Sequence, residues 1–80
     1  MEQNEIIQEV ITKIENMKDG ERTSIGAIIG KRMSTEDYVI IFEKVYTALF
    51  EKGIVLDFSE YEGEKVGLPA LTPFVKRTKI

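Results

Sequence analysis

Carboxylates are the only side chains numerous enough in this sequence to suggest chemistry at a site. Glu36 and Asp37 are adjacent, Glu43 follows Glu36 by seven residues, and Asp57, Glu60, Glu62 and Glu64 gather further on. Carboxylates act as general acids, as glycosidase pairs or as ligands for hard cations when they converge in a shielded cleft. The spacing works against convergence. Glu36 and Asp37 are neighbours on a helical stretch and point in different directions, while the later group surrounds a turn open to water. A calcium loop needs Asp or Asn two and four residues after its first Asp. From Asp57 those positions hold Ser59 and Tyr61. The acids read as solvated surface.

Other chemistries are removed by absence. The 80 residues include no cysteine and no histidine, which excludes disulfides, iron–sulfur centres, thiol nucleophiles, zinc ribbons, HExxH sites and serine–histidine triads. Gly20, Gly26 and Gly30 do not form a phosphate-binding loop, because Gly30-Lys31-Arg32 lacks the preceding glycine-rich cradle. No lysine is paired with a nucleophile. The expectation is a protein that is not an enzyme and binds no metal, cofactor or small molecule. No apolar run approaches the roughly 20 residues of a membrane span, and the acidic start is unlike a signal peptide. A cytoplasmic protein is expected.

The basic residues are more suggestive. The formal charge of −3 averages four blocks: −4 over residues 1–21, +3 over 22–35, −6 over 36–64 and +4 over 65–80. Arg22, Lys31 and Arg32 make the first basic block, and Lys65, Lys76, Arg77 and Lys79 the second. Together they could face phosphate, an acidic protein or only water.

The elements that must position these residues follow from periodicity. Ile6, Ile7, Val10, Ile11, Ile14 and Met17 fill an arc of about 140° on a helical wheel and predict an amphipathic helix over about 4–18. Ile25, Ile28 and Ile29 predict a short helix over about 24–32, capped by Thr23 or Ser24. Gly26 suits close packing there, and Gly30 ends the helix. A third helix is predicted over about 35–52, with Ser34 as its cap, Asp37 as the capping-box partner, Met33 stapled over Tyr38, and Gly53 as the left-handed exit. Its apolar face, from Tyr38 to Phe50, covers about 200°, where a single covered face needs about 100°. Ile40 lies outside even that arc. This helix should be central, covered by the rest of the chain and by a second subunit or the hairpin. Alternation at Ile54, Leu56 and Phe58 predicts a strand over about 54–61, with a turn at Glu62-Gly63-Glu64. A return strand is predicted over about 71–79, with Phe74 packed on the core and Pro73 requiring an edge or a bulge. The fold class is α+β, a single domain of three helices followed by a β-hairpin.

That element order resembles the winged-helix version of the helix-turn-helix class over nearly the whole chain. Residues 23–24 would be its minimal first strand and residues 54–79 its two-stranded wing. The chain also resembles very small proteins of bacterial or phage origin. The winged-helix resemblance implies either DNA binding, with the third helix in the major groove and the wing on the backbone or minor groove, or protein binding alone. The sequence departs from the DNA-binding pattern where it matters. The third helix opens Thr35-Glu36-Asp37 and exposes Glu43 and Glu51 against a single mid-helix Lys44, and acids there subtract from phosphate affinity.

The expected function is a non-catalytic protein-interaction module with a protein partner or a homodimer, its seam formed by Ile40, Tyr46 and Phe50. The alternative is a winged-helix DNA-binding regulator that contacts nucleic acid through Arg22, Lys31, Arg32, Lys76, Arg77 and Lys79. A domain this small buries only about 60% of its extended surface, which is a physical reason to recruit a partner.

Overall fold

A computed structural model of the chain describes residues 3–30, 33–64 and 69–78. The first helix, α1 (Gln3–Glu15), buries Ile6, Ile7, Val10, Ile11 and Ile14. It ends at Glu15, three residues before the predicted end at 18. Met17 N–H bonds to Ile14 C=O at 3.1 Å, closing a tighter turn, and Gly20 at φ +91° then redirects the chain. A two-residue strand follows, β1 (Arg22–Thr23), one residue earlier than expected.

Ser24 accepts the Ala27 N–H at 3.1 Å and caps α2 (Ile25–Ile29). Gly30, at φ +65°, donates its N–H to Gly26 C=O at 2.9 Å and closes this helix earlier than the predicted 24–32. Gly26 is the close-packing glycine: a Cβ there would lie 2.7 Å from the Leu71 Cδ2. The long helix α3 (Thr35–Glu51) starts as the sequence predicts, with the Ser34 Oγ accepting the Asp37 N–H at 3.2 Å. The Asp37 carboxylate accepts from the Gln3 amide at 2.9 Å, tying the start of α3 to the start of α1.

Two further strands, β2 (Ile54–Asp57) and β3 (Phe74–Thr78), complete an antiparallel sheet in the order β1-β3-β2. The α+β class therefore holds, with three helices and three strands among the described residues. Both hairpin strands are shorter than expected. β2 stops at Asp57 because its carboxylate accepts the Ser59 N–H at 2.9 Å and turns the chain into a 3₁₀ segment (Ser59–Glu64). That segment takes in the expected turn at residues 62–64, so the connection is not a tight hairpin. A second 3₁₀ turn (Pro69–Leu71) occupies the expected beginning of the return strand and packs on α2 and α3. Pro73 stands just before β3, where its missing N–H removes no ladder bond. β3 can therefore be the central strand, with neither edge position nor bulge.

The core lies between the helices and one face of the sheet. Ile14, Ile25, Ile41, Val45, Leu49 and Phe74 are all wholly buried. Val75, on the opposite face of β3, is also buried, because the first 3₁₀ segment touches that strand. α3 contacts α1, β2 and the second 3₁₀ turn, as a central helix should.

Candidate interaction surfaces

The wide apolar face of α3 is only partly consumed by this core. Ile41, Val45 and Leu49 are buried, whereas Val39, Ile40 and Phe50 are exposed at 38%, 39% and 46%. Val39, Tyr46 and Phe50 fall within about 40° on the wheel, next to Phe42, and form one lengthwise strip beside the buried seam. Five rings run from core to surface along it. Phe74 meets Phe58 at 5.9 Å between centroids, Phe58 meets Phe42 at 5.8 Å, Phe42 meets Tyr46 at 5.8 Å, and Tyr46 stacks on Phe50 at 6.4 Å. Neighbouring rings restrict one another, so the outermost is held by the inner four.

Ile40 does not belong to this strip. At 100° per residue it is turned about 120° from Tyr46 and about 80° from Phe50, onto the side of α3 that carries Lys44, Thr47 and Glu51. The three proposed seam residues thus divide between two sides of one helix.

The basic residues divide further. Lys76 is 5% exposed, and its Nζ donates to Glu15 C=O at 3.0 Å and to Met17 C=O at 2.5 Å. Its charge sits on the negative end of α1, where helix carbonyls lack intrahelical partners, and is withdrawn from any nucleic-acid contact. One sequence signal points to this. In a strand, residues two apart share a face, so Lys76 is directed inward with Phe74. Arg77 points outward and meets Asp57 at 3.3 Å and Glu60 at 3.7 Å. Arg22 is exposed on β1. Lys31, Arg32 and Lys79 lie outside the described residues.

Several carboxylates have structural partners. Asp19 accepts the Thr78 N–H at 2.6 Å, holding the end of β3, and Glu15 pairs with Lys52 at 3.0 Å. The Asp57 carboxyl is held below its ordinary pKa, first by the Ser59 backbone N–H and then by the Ser59 hydroxyl, with desolvation opposing them and Arg77 adding smaller contributions. A depressed carboxyl pKa stabilises the fold above the unfolded value of about 4, and that stability is lost as pH falls through the lower folded value. Asp57→Asn keeps the acceptor for Ser59 and removes the charge. It should cost roughly 0.5–1 kcal/mol at pH 7, the scale of an exposed ion pair, and the difference should shrink as the pH is lowered toward about 2. Urea unfolding at the two pH values measures this.

An open groove of about 420 Å³ lies where α1 ends beside β1 and α2, lined by Lys13, Asn16, Met17, Glu21, Arg22, Thr23 and Ile28. No described helix is long and apolar enough to cross a membrane. The chain matches no known family model, and no curated protein and no solved structure shows significant similarity to it.

Proposed function

We propose that the protein is a non-catalytic protein-interaction module of winged-helix-like architecture that self-associates through the aromatic strip of α3. The observation that carries this reading is the strip of exposed Val39 and Phe50 with half-buried Tyr46 between them, its rings held by contacts to the core. Contiguous exposed apolar surface on a small domain marks a contact site more often than an unused face. Rigid aromatic anchors lose little side-chain entropy when covered. The winged-helix-like assignment is supported by the order of three helices and three strands and by the sheet order β1-β3-β2. The DNA-binding reading loses support from Lys76 and Arg77, whose charges are engaged within the fold.

The test is the molecular mass in solution as a function of concentration, by light scattering or sedimentation. The wild type is expected to form dimers, and Phe50→Glu should weaken association at least about tenfold by placing a charge in a desolvated seam. Its fold should be retained, because Phe50 is exposed. Ile40→Lys, on the other side of α3, reports separately on that side. A wild type that stays monomeric at millimolar concentration removes the self-association reading.

A further inference from the structure

The groove at β1 has two features of a peptide site, and they concern a different surface from the α3 strip. The first is a backbone edge. Among the described residues β1 is an outer strand, paired only to β3, with Arg22 opposite Val75 and Thr23 opposite Phe74. Lys76 N–H donates to Glu21 C=O at 2.8 Å, so the Glu21 carbonyl faces β3. Backbone groups of successive strand residues point alternately to either side, so Thr23 also faces β3 while the N–H and C=O of Arg22 face away from it. Arg22 therefore presents one donor and one acceptor at the sheet edge, beside the groove. Such an edge is a template for a further strand.

The second feature is charge. The groove carries Lys13 and Arg22 against a single acid, Glu21, in a chain whose overall charge is −3. The Glu21 carboxylate is turned back on its own loop, accepting the Lys18 N–H at 3.2 Å. Lys52 and Arg77 are ion-paired and Lys76 is buried on helix carbonyls, but neither Lys13 nor Arg22 has an ion pair among the described residues. Met17 and Ile28 supply apolar lining. A backbone edge, two cations and an apolar lining complement an extended chain that alternates apolar and acidic side chains.

We propose that an extended acidic peptide segment adds to the β1 edge, its backbone pairing with Arg22 and its carboxylates meeting Lys13 and Arg22. A decapeptide of alternating valine and glutamate is the probe, with a valine–lysine decapeptide as the charge-reversed control. Titrated into the labelled wild-type protein, the acidic peptide should shift the Arg22 amide resonance and slow its hydrogen exchange. Binding should weaken at least about fivefold between 25 and 300 mM salt. Arg22→Glu and Lys13→Glu should each lower affinity roughly tenfold, while Phe50→Glu leaves it unchanged. Both groove variants alter exposed side chains, and circular dichroism verifies their folds. Three results overturn the proposal: an Arg22 amide unmoved by the acidic peptide, equal binding of the two peptides, or duplex DNA binding these same residues more tightly than the acidic peptide does.

Discussion

Phe74→Ala should leave the protein largely unfolded under mild denaturing conditions and close to unfolding without denaturant. Phe74 is wholly buried and heads the largest side chains in the core. Its ring contacts Phe58, which in turn contacts Phe42, so its loss also removes the support of the aromatic series. Burying a phenylalanine and then deleting it costs about 3–5 kcal/mol, from lost transfer energy plus the residual cavity. An 80-residue domain has roughly 4–12 kcal/mol in total, at about 0.05–0.15 kcal/mol per residue. The deletion therefore takes from about a quarter to all of it. Urea unfolding followed by circular dichroism should show the midpoint falling by about 3–5 M, given a slope near 1 kcal/mol per molar for a chain of this size. A fall of less than 1 M would mean that the Phe74 site collapses around the vacancy. The milder Phe74→Leu should cost roughly 1–1.5 kcal/mol.

Lys76→Met is expected to be the next most damaging change, at about 2–3 kcal/mol. The methionine keeps most of the buried stem and removes the ammonium, so packing is nearly conserved while the Glu15 and Met17 carbonyls lose their donor. A hydrogen bond to a charged group contributes about 1.5–3 kcal/mol, and a buried acceptor left bare adds its desolvation cost. The negative end of α1 loses its countercharge as well. Lys52 offers an internal comparison, since it pairs with the carboxylate of the same Glu15, but with 51% of its side chain exposed. An exposed pair of that kind contributes at most about 1 kcal/mol and is screened by salt. The Lys76→Met penalty should therefore persist in 0.5 M sodium chloride, while that of Lys52→Met fades. Equal penalties for the two would show that the Lys76 ammonium is solvated.

Local chemistry made most of the fold legible. Ser24, Ser34, Gly30 and Gly53 marked helix boundaries because capping depends on neighbours within four residues. The repeat of Ile6, Ile7, Val10, Ile11 and Ile14 identified the buried side of α1 because helical spacing is fixed by the backbone. What sequence could not show was set by partners far along the chain. α1 ends early in a tight turn whose carbonyls are held by Lys76, 59 and 61 residues away. β2 ends at Asp57, whose carboxylate serves both Ser59 and Arg77, 20 residues on. Pro73 argued for an edge strand, yet the ladder begins one residue later and β3 is central.

The candidate surfaces were legible in the same uneven way. Residue types alone placed Ile40, Tyr46 and Phe50 on one helix, but only the burial of Ile41, Val45 and Leu49 shows which sides remain. A tally of lysines and arginines gave Lys76 and Arg77 equal weight. In the fold, one is a buried helix cap and the other a surface ion-pair partner.

The central strand follows β1, β2 and all three helices along the chain, and this sets their order of events on the ribosome. β1 waits for residues 74 and 75, and α1 waits for Lys76. Between the emergence of Glu51, the end of α3, and that of Phe74, elongation at about 5–20 residues per second leaves an interval of roughly 1–5 s. Throughout that interval three helices stand without the strand that closes their core. The nascent chain therefore presents Ile14, Ile25, Val45 and Leu49 to the crowded space outside the exit tunnel, where chaperone capture competes with waiting. Rare codons before residue 74 would lengthen that exposure, whereas a circular permutant that begins at the second 3₁₀ turn would supply β3 first and abolish it.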